Sequence, residues 1–100
     1  MDVIIFGKTG CARCKSTKNK VTHLLARWGV SGNVNMDFVD LDTIDGLAEG
    51  SFHDVFDVPV TIVKREGTQV ARWDGIVPDS QELRGSLESG PASAGAQRAG

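Results

Sequence analysis

Cys11 and Cys14 are the two cysteines of this 100-residue chain, three positions apart in Lys8-Thr9-Gly10-Cys11-Ala12-Arg13-Cys14. On one turn of helix that spacing places both sulfurs on a single face, where they can close a disulfide and reopen it by thiolate exchange. It is also half of a tetrahedral zinc site, which needs four ligands. His23 and His53 are the histidines available to complete one. A third reading is that the thiols simply pack as small hydrophobes. The elements around the pair separate these chemistries.

Val3-Ile4-Ile5-Phe6 is a continuous β-branched and aromatic run stopped by Gly7. It reads as a central, parallel strand buried on both faces. From Cys11 the pattern turns helical: Val21, Leu24, Leu25 and Trp28 share a face, Lys15, Lys18 and Lys20 lie mostly away from it, and Gly29 ends the helix. Cys11 therefore falls at a helix N-terminus, where free N–H groups and the helix dipole favour a thiolate. Lys8, Arg13 and Lys15 add positive charge nearby, and such surroundings bring cysteine pKa values to about 3.5–7.5. Cys11 is the expected attacking thiolate and Cys14 the resolving thiol. No metal is expected, because lone histidines placed like His23, mid-helix, and His53, in an acidic stretch, are more often surface or core residues than ligands.

After a polar loop with Ser31, Gly32 and Asn33, Met36-Asp37-Phe38-Val39-Asp40 alternates as a strand does. A second helix is expected over residues 43–56, with Ile44, Leu47, Phe52 and Phe56 as its apolar positions; Gly46 and Gly50 weaken it by about 1 kcal/mol each. Val58-Pro59-Val60-Thr61-Ile62-Val63 reads as a third strand, joined through Arg65-Glu66-Gly67 to a fourth antiparallel one, Thr68-Gln69-Val70-Ala71-Arg72-Trp73. The last helix starts near Pro78-Asp79-Ser80 and runs through Leu83 and Leu87. Residues 90–100 have small side chains and no periodicity, and are expected to be a disordered tail behind one domain over residues 1–89.

The net charge of −2 is unevenly spread. Residues 1–28 carry +5, from Lys8, Arg13, Lys15, Lys18, Lys20 and Arg27 against Asp2, whereas residues 37–57 carry −7. A nucleic-acid reader concentrates cations over the whole domain; here they cluster around the cysteines, so no nucleic-acid partner is expected. Asp2 and the short run Val3–Phe6 do not make a secretory signal, and no stretch is long enough to span a membrane. A cytoplasmic setting is expected, where paired cysteines are redox or metal groups rather than a structural framework.

The element order β-α-β-α-β-β-α implies an α/β domain with a four-stranded mixed sheet flanked by helices, the order of the thioredoxin fold. The chain resembles glutaredoxins and the glutaredoxin-like redoxins that serve ribonucleotide reductase, over about residues 1–88. The resemblance rests on Lys8 three residues before Cys11, on Asp57-Val58-Pro59, and on Trp73-Asp74-Gly75 followed by Pro78-Asp79. Pro59 by itself could simply begin a strand. In this family setting Val58-Pro59 is implied to be a cis peptide facing the cysteines, with the Val58 backbone free to pair with an extended substrate. Gly75 is either an ordinary turn or a place where a substrate backbone comes close.

The resemblance implies catalysis by Cys11 and Cys14, and substrate binding by Lys8, Thr9, Arg13, Val58, Pro59 and Gly75. It also implies no tightly bound cofactor, a monomer, and a protein disulfide substrate, with ribonucleotide reductase among the candidates. Ala12-Arg13 replaces the usual Pro-Tyr, and a single Gly75 replaces a Gly-Gly pair, which leaves glutathione and a thioredoxin reductase both open as electron donors. The alternative is a non-catalytic module that uses the same fold to bind metal or a partner protein.

Overall fold

The computed structural model describes residues 1–30 and 32–88, and the tail expected over residues 90–100 lies outside the described residues. The elements are β1 (Asp2–Gly7), α1 (Ala12–Arg27), β2 (Asn35–Asp40), α2 (Ile44–Phe52), β3 (Val60–Arg65), β4 (Thr68–Asp74) and α3 (Ser80–Glu88). The strands form one mixed sheet in the order β2-β1-β3-β4. β1 is parallel to β2 and antiparallel to β3, which is antiparallel to β4. The apolar run Val3–Phe6 is thus central and parallel to its first neighbour, as its lack of alternation implies.

Each face of the sheet carries its own cluster. Val3, Ile5, Val63 and Trp73 pack with Val21 and Leu25 of α1 and Leu83 of α3. Phe6, Val60 and Ile62 face the other way, toward Leu41 and Val55. Two junctions are set by local chemistry. Glu66 and Gly67 both have positive φ (52° and 81°), the geometry of the two-residue hairpin loop that matches strand twist. Asp79 caps α3, its Oδ2 accepting from the amides of Gln81 (3.1 Å) and Glu82 (3.2 Å).

α2 departs from expectation in length, and its apolar positions lie outward. Thr43 caps its start, with Oγ1 accepting from the Gly46 amide at 2.9 Å, but the helix stops at Phe52 and not at Phe56. Asp54 takes a positive φ of 54°, and the Val55 amide turns back to the Gly50 carbonyl at 2.8 Å. The apolar positions Ile44, Leu47, Phe52 and Phe56 are 88%, 60%, 81% and 86% exposed. The inward face is made by Gly46 and Gly50, which are buried. A β-carbon on Gly46 would overlap the Asp40 carbonyl oxygen, and one on Gly50 would lie 2.6 Å from Leu41 Cδ2. The glycines that weaken the helix are therefore what let it lie against the end of β2. At about 100° of rotation per residue, Ile44 and Phe52 fall on the side away from the glycines and Leu47 at its edge.

Candidate active site

β1 delivers the chain to the cysteines through a tight loop. Gly10 has φ of 85°, and the Cys11 amide donates to the Lys8 carbonyl at 3.2 Å. Cys11 is the N-cap of α1, in an extended conformation, and its Sγ accepts from the Cys14 amide at 3.1 Å. The first turn of α1 contains no acidic residue, so nothing in it opposes a negative sulfur. Cys11 and Cys14 are joined by a disulfide with their Cα atoms 5.2 Å apart. The two sulfurs are not equivalent: Cys11 is half-buried, whereas Cys14 faces the sheet and is 1% exposed.

Gly7 makes room for that burial. A β-carbon there would stand 2.8 Å from Cys14 Cβ and 2.9 Å from Phe38 Cζ. We expect Gly7→Ala to lower stability by about 1–3 kcal/mol, the usual effect of overpacking, with the start of α1 pushed outward. Chemical denaturation checks the first effect, and the disulfide closure rate the second.

Thr9 ties the loop to the end of β2. Its amide donates to Asp42 Oδ2 at 3.0 Å and its hydroxyl to Asp40 Oδ2 at 3.3 Å. Asp40 Oδ1 in turn accepts from the Asp42 amide at 2.9 Å. On this side of Cys11 a shallow groove is lined by Lys8, Thr9, Gly10, Lys15, Lys18 and Phe38. Lys18 Nζ lies 5.1 Å from the centre of the Phe38 ring, a cation–π distance.

The other side is built from the ends of β3 and β4. The Val58–Pro59 peptide is cis, with Val58 half-buried and Pro59 buried. Phe6 pairs with Val60, and Val60 with Asp74, so the Gly7–Cys11 loop, Pro59 and Gly75 leave the sheet at one end. The Pro59 carbonyl accepts from the Gly75 amide at 2.8 Å, and Arg13 Nη1 donates to the Gly75 carbonyl at 3.1 Å. Gly75 has φ of 73°, and a β-carbon there would stand 3.3 Å from Asp57 Cβ.

Of the residues expected at the site, Lys8, Thr9, Cys11, Arg13, Cys14, Val58, Pro59 and Gly75 all come to this end of the sheet. Gly7, Asp40, Asp42, Lys18 and Phe38 were not among those residues; only Gly7, directly ahead of the C-x-x-C loop, had a local signal. The histidines are elsewhere. His23 is exposed on α1, while the His53 ring lies 5.3 Å from that of Phe6 and its Nε2 is 3.1 Å from Lys64 Nζ. Among the described residues, no three His, Cys, Asp or Glu side chains gather as metal ligands.

The chain superposes on thioredoxin 1 from Thermosipho africanus with a TM-score of 0.70 and 18% identity, over 88% of this chain and 91% of that one. It matches oxidised thioredoxin O2 from Arabidopsis thaliana at a TM-score of 0.70 and 21% identity, over 87% and 71% of the two chains. The fold is the thioredoxin fold. Thioredoxin from Fasciola hepatica matches at a TM-score of 0.66 with 22% identity, covering 86% of this chain and 76% of its own. No family model and no curated protein matches the sequence. Among the described residues of this thioredoxin-fold chain, no helix is long and apolar enough to cross a membrane.

Proposed function

We propose that this chain is a dithiol thiol-disulfide oxidoreductase. The observation that carries the reading is the asymmetry of the pair: a half-buried Cys11 whose sulfur receives a helix N–H, bonded to a Cys14 that is 1% exposed. In the reduced protein the Cys11 thiolate attacks one sulfur of a substrate disulfide. A mixed disulfide forms and the other substrate sulfur leaves as a thiolate that takes up a proton. Cys14 then gives its proton to solvent and attacks Cys11 Sγ. The second substrate sulfur leaves as a thiolate that takes up a proton; the protein is left oxidised as the Cys11–Cys14 disulfide, and its two electrons are on the reduced substrate.

An extended substrate can pair with the backbone of Val58 beside the cis-Pro59 turn, while Lys8 and Arg13 flank the sulfur. The Lys8 spacing and the Val58-Pro59 motif support a glutaredoxin-like member acting in the cytoplasm as a monomer, with glutathione or a thioredoxin reductase returning the electrons. Offering the oxidised protein either glutathione or NADPH with a thioredoxin reductase distinguishes the donors.

The pH dependence follows from the helix N-terminus and the cations around Cys11; the carboxylates of Asp40 and Asp42 are engaged by Thr9. The Cys11 thiol is expected below the ordinary value of about 8.5. A thiolate that forms at lower pH keeps reacting at lower pH. Alkylation of the reduced protein should therefore be flat with pH down to the lowered pKa and fall about tenfold per unit beneath it. Ultraviolet thiolate absorbance gives the same titration. An ordinary pKa together with no reduction of a small disulfide would exclude the reading.

A further inference from the structure

We infer that the outward face of α2 is a docking surface for a redox partner protein whose contacting segment combines large apolar side chains with lysine or arginine. Ile44, Leu47 and Phe52 share one side of α2 and Phe56 follows it, all between 60% and 88% exposed. Such a face is costly in water unless something covers it. It cannot turn inward, because Gly46 and Gly50 hold the opposite side of the helix against Asp40 and Leu41.

Charge identifies the occupant. The patch is rimmed by exposed Asp45, Glu49, Asp54 and Asp57, and no lysine or arginine occurs in residues 37–57. Two cations reach the end of α2 from the sheet: the Arg72 guanidinium donates to the carbonyls of His53 and Asp54 and is neutralised by Asp74 at 2.9 Å, and Lys64 Nζ lies against His53 Nε2 at 3.1 Å. A second copy fits poorly in either arrangement. Face to face, it would set Asp45 and Glu49 against their own copies. Head to tail against the basic outer side of α1, it would meet exposed Lys15, Lys18, Asn19, His23 and Arg27 and no large apolar side chain. Residues 89–100 contain no leucine, isoleucine, valine, methionine or aromatic residue, so they cannot supply the apolar cover. The same carboxylates would be repelled by an anionic lipid surface. The patch runs through Phe56 and Asp57 directly into Val58 and cis-Pro59, so a partner seated on it reaches the disulfide end of the sheet.

The partner's role in redox chemistry rests on the reading of Cys11 as nucleophile; the binding itself does not, and the two are tested apart. The first probe is a cysteine-free peptide of leucine, phenylalanine, lysine and glycine, titrated into isotope-labelled oxidised protein and followed by amide shifts. Shifts in residues 44–57 are expected, with affinity at least about tenfold above that of the same peptide carrying glutamate for lysine. That preference should shrink with added salt. Leu47→Ser with Phe52→Ser should weaken binding about tenfold while leaving the fold unchanged, since both side chains are exposed. Equal binding of the basic and acidic peptides overturns the inference, as do shifts confined to other elements. A sedimenting dimer that the double variant dissolves also overturns it, by assigning the face to self-association.

The second probe is the basic peptide carrying a mixed disulfide. It should be reduced about tenfold faster by the wild-type protein than by the double variant, with a small disulfide reduced equally by both. If the wild type reduces neither, the reading of the cysteines fails while the titration still decides the surface.

Discussion

Cys11→Ser is expected to abolish disulfide reduction, by at least about a thousandfold, as removal of a covalent nucleophile does elsewhere. A serine hydroxyl is un-ionised near neutral pH and forms no bond that a thiol can later displace. The remaining Cys14 is not a substitute, because it is 1% exposed against the sheet beside Gly7. Cys14→Ser should behave differently. The first exchange survives, resolution does not, and the protein accumulates as a mixed disulfide on Cys11 that intact-mass measurement detects. With single cysteines, alkylation of Cys11 should exceed that of Cys14 by more than about tenfold, from the combined effects of thiolate character and access. Activity of Cys11→Ser within tenfold of wild type, or an adduct gathering equally on Cys14, would show the roles to be assigned the wrong way round.

Gly46→Ala is expected to destabilise the protein although alanine is the better helix former. Helix propensity favours the substitution by about 1 kcal/mol. Against it stands the Asp40 carbonyl oxygen, which the new methyl would overlap; this is backbone, not the end of a flexible side chain. Overpacking of this kind typically costs about 1–3 kcal/mol and occasionally more. A net loss of about 2 kcal/mol would lower Tm by roughly 8–16 °C in a domain of this size. Gly85→Ala in α3 is the control, because nothing lies within 4 Å of its β-carbon position. With only propensity acting, it should raise stability by roughly 0.5–1 kcal/mol. Thermal unfolding of the two variants compares a buried helical glycine with an open one. Disulfide reduction by Gly46→Ala should fall as well, since Asp40 and Asp42 hold Thr9 in the loop before Cys11.

α2 also shows where sequence reading stops. Its existence was legible from Thr43 and the residues that follow, but the side it turns inward was not. Which side faces inward depended on how closely the helix approaches Asp40 and Leu41, a distance that no local pattern records. β1 was the reverse case. An uninterrupted Val3-Ile4-Ile5-Phe6 run stopped by Gly7 reads as a strand covered on both sides, and it is a central strand with both neighbours paired. The hairpin between β3 and β4 was legible for a local reason too, since its Glu66-Gly67 turn carries its own conformational requirement.

At the cysteines the division is similar. Spacing, a preceding strand and a following helix were enough to put Cys11 at a helix N-terminus and Cys14 one turn on, because these relations run along the chain. Spacing alone left the C-x-x-C open as half a zinc site, and the strand before it, the helix after it and the placement of His23 and His53 argued against that from the sequence. Tertiary structure alone decided that Cys14 is buried and Cys11 only half-buried, that Arg13 reaches Gly75, and that Asp40 and Asp42 hold Thr9. The physical reason is range: propensity and helix-end electrostatics act within a few residues, whereas burial and cross-chain hydrogen bonds depend on which distant segments the sheet order brings together.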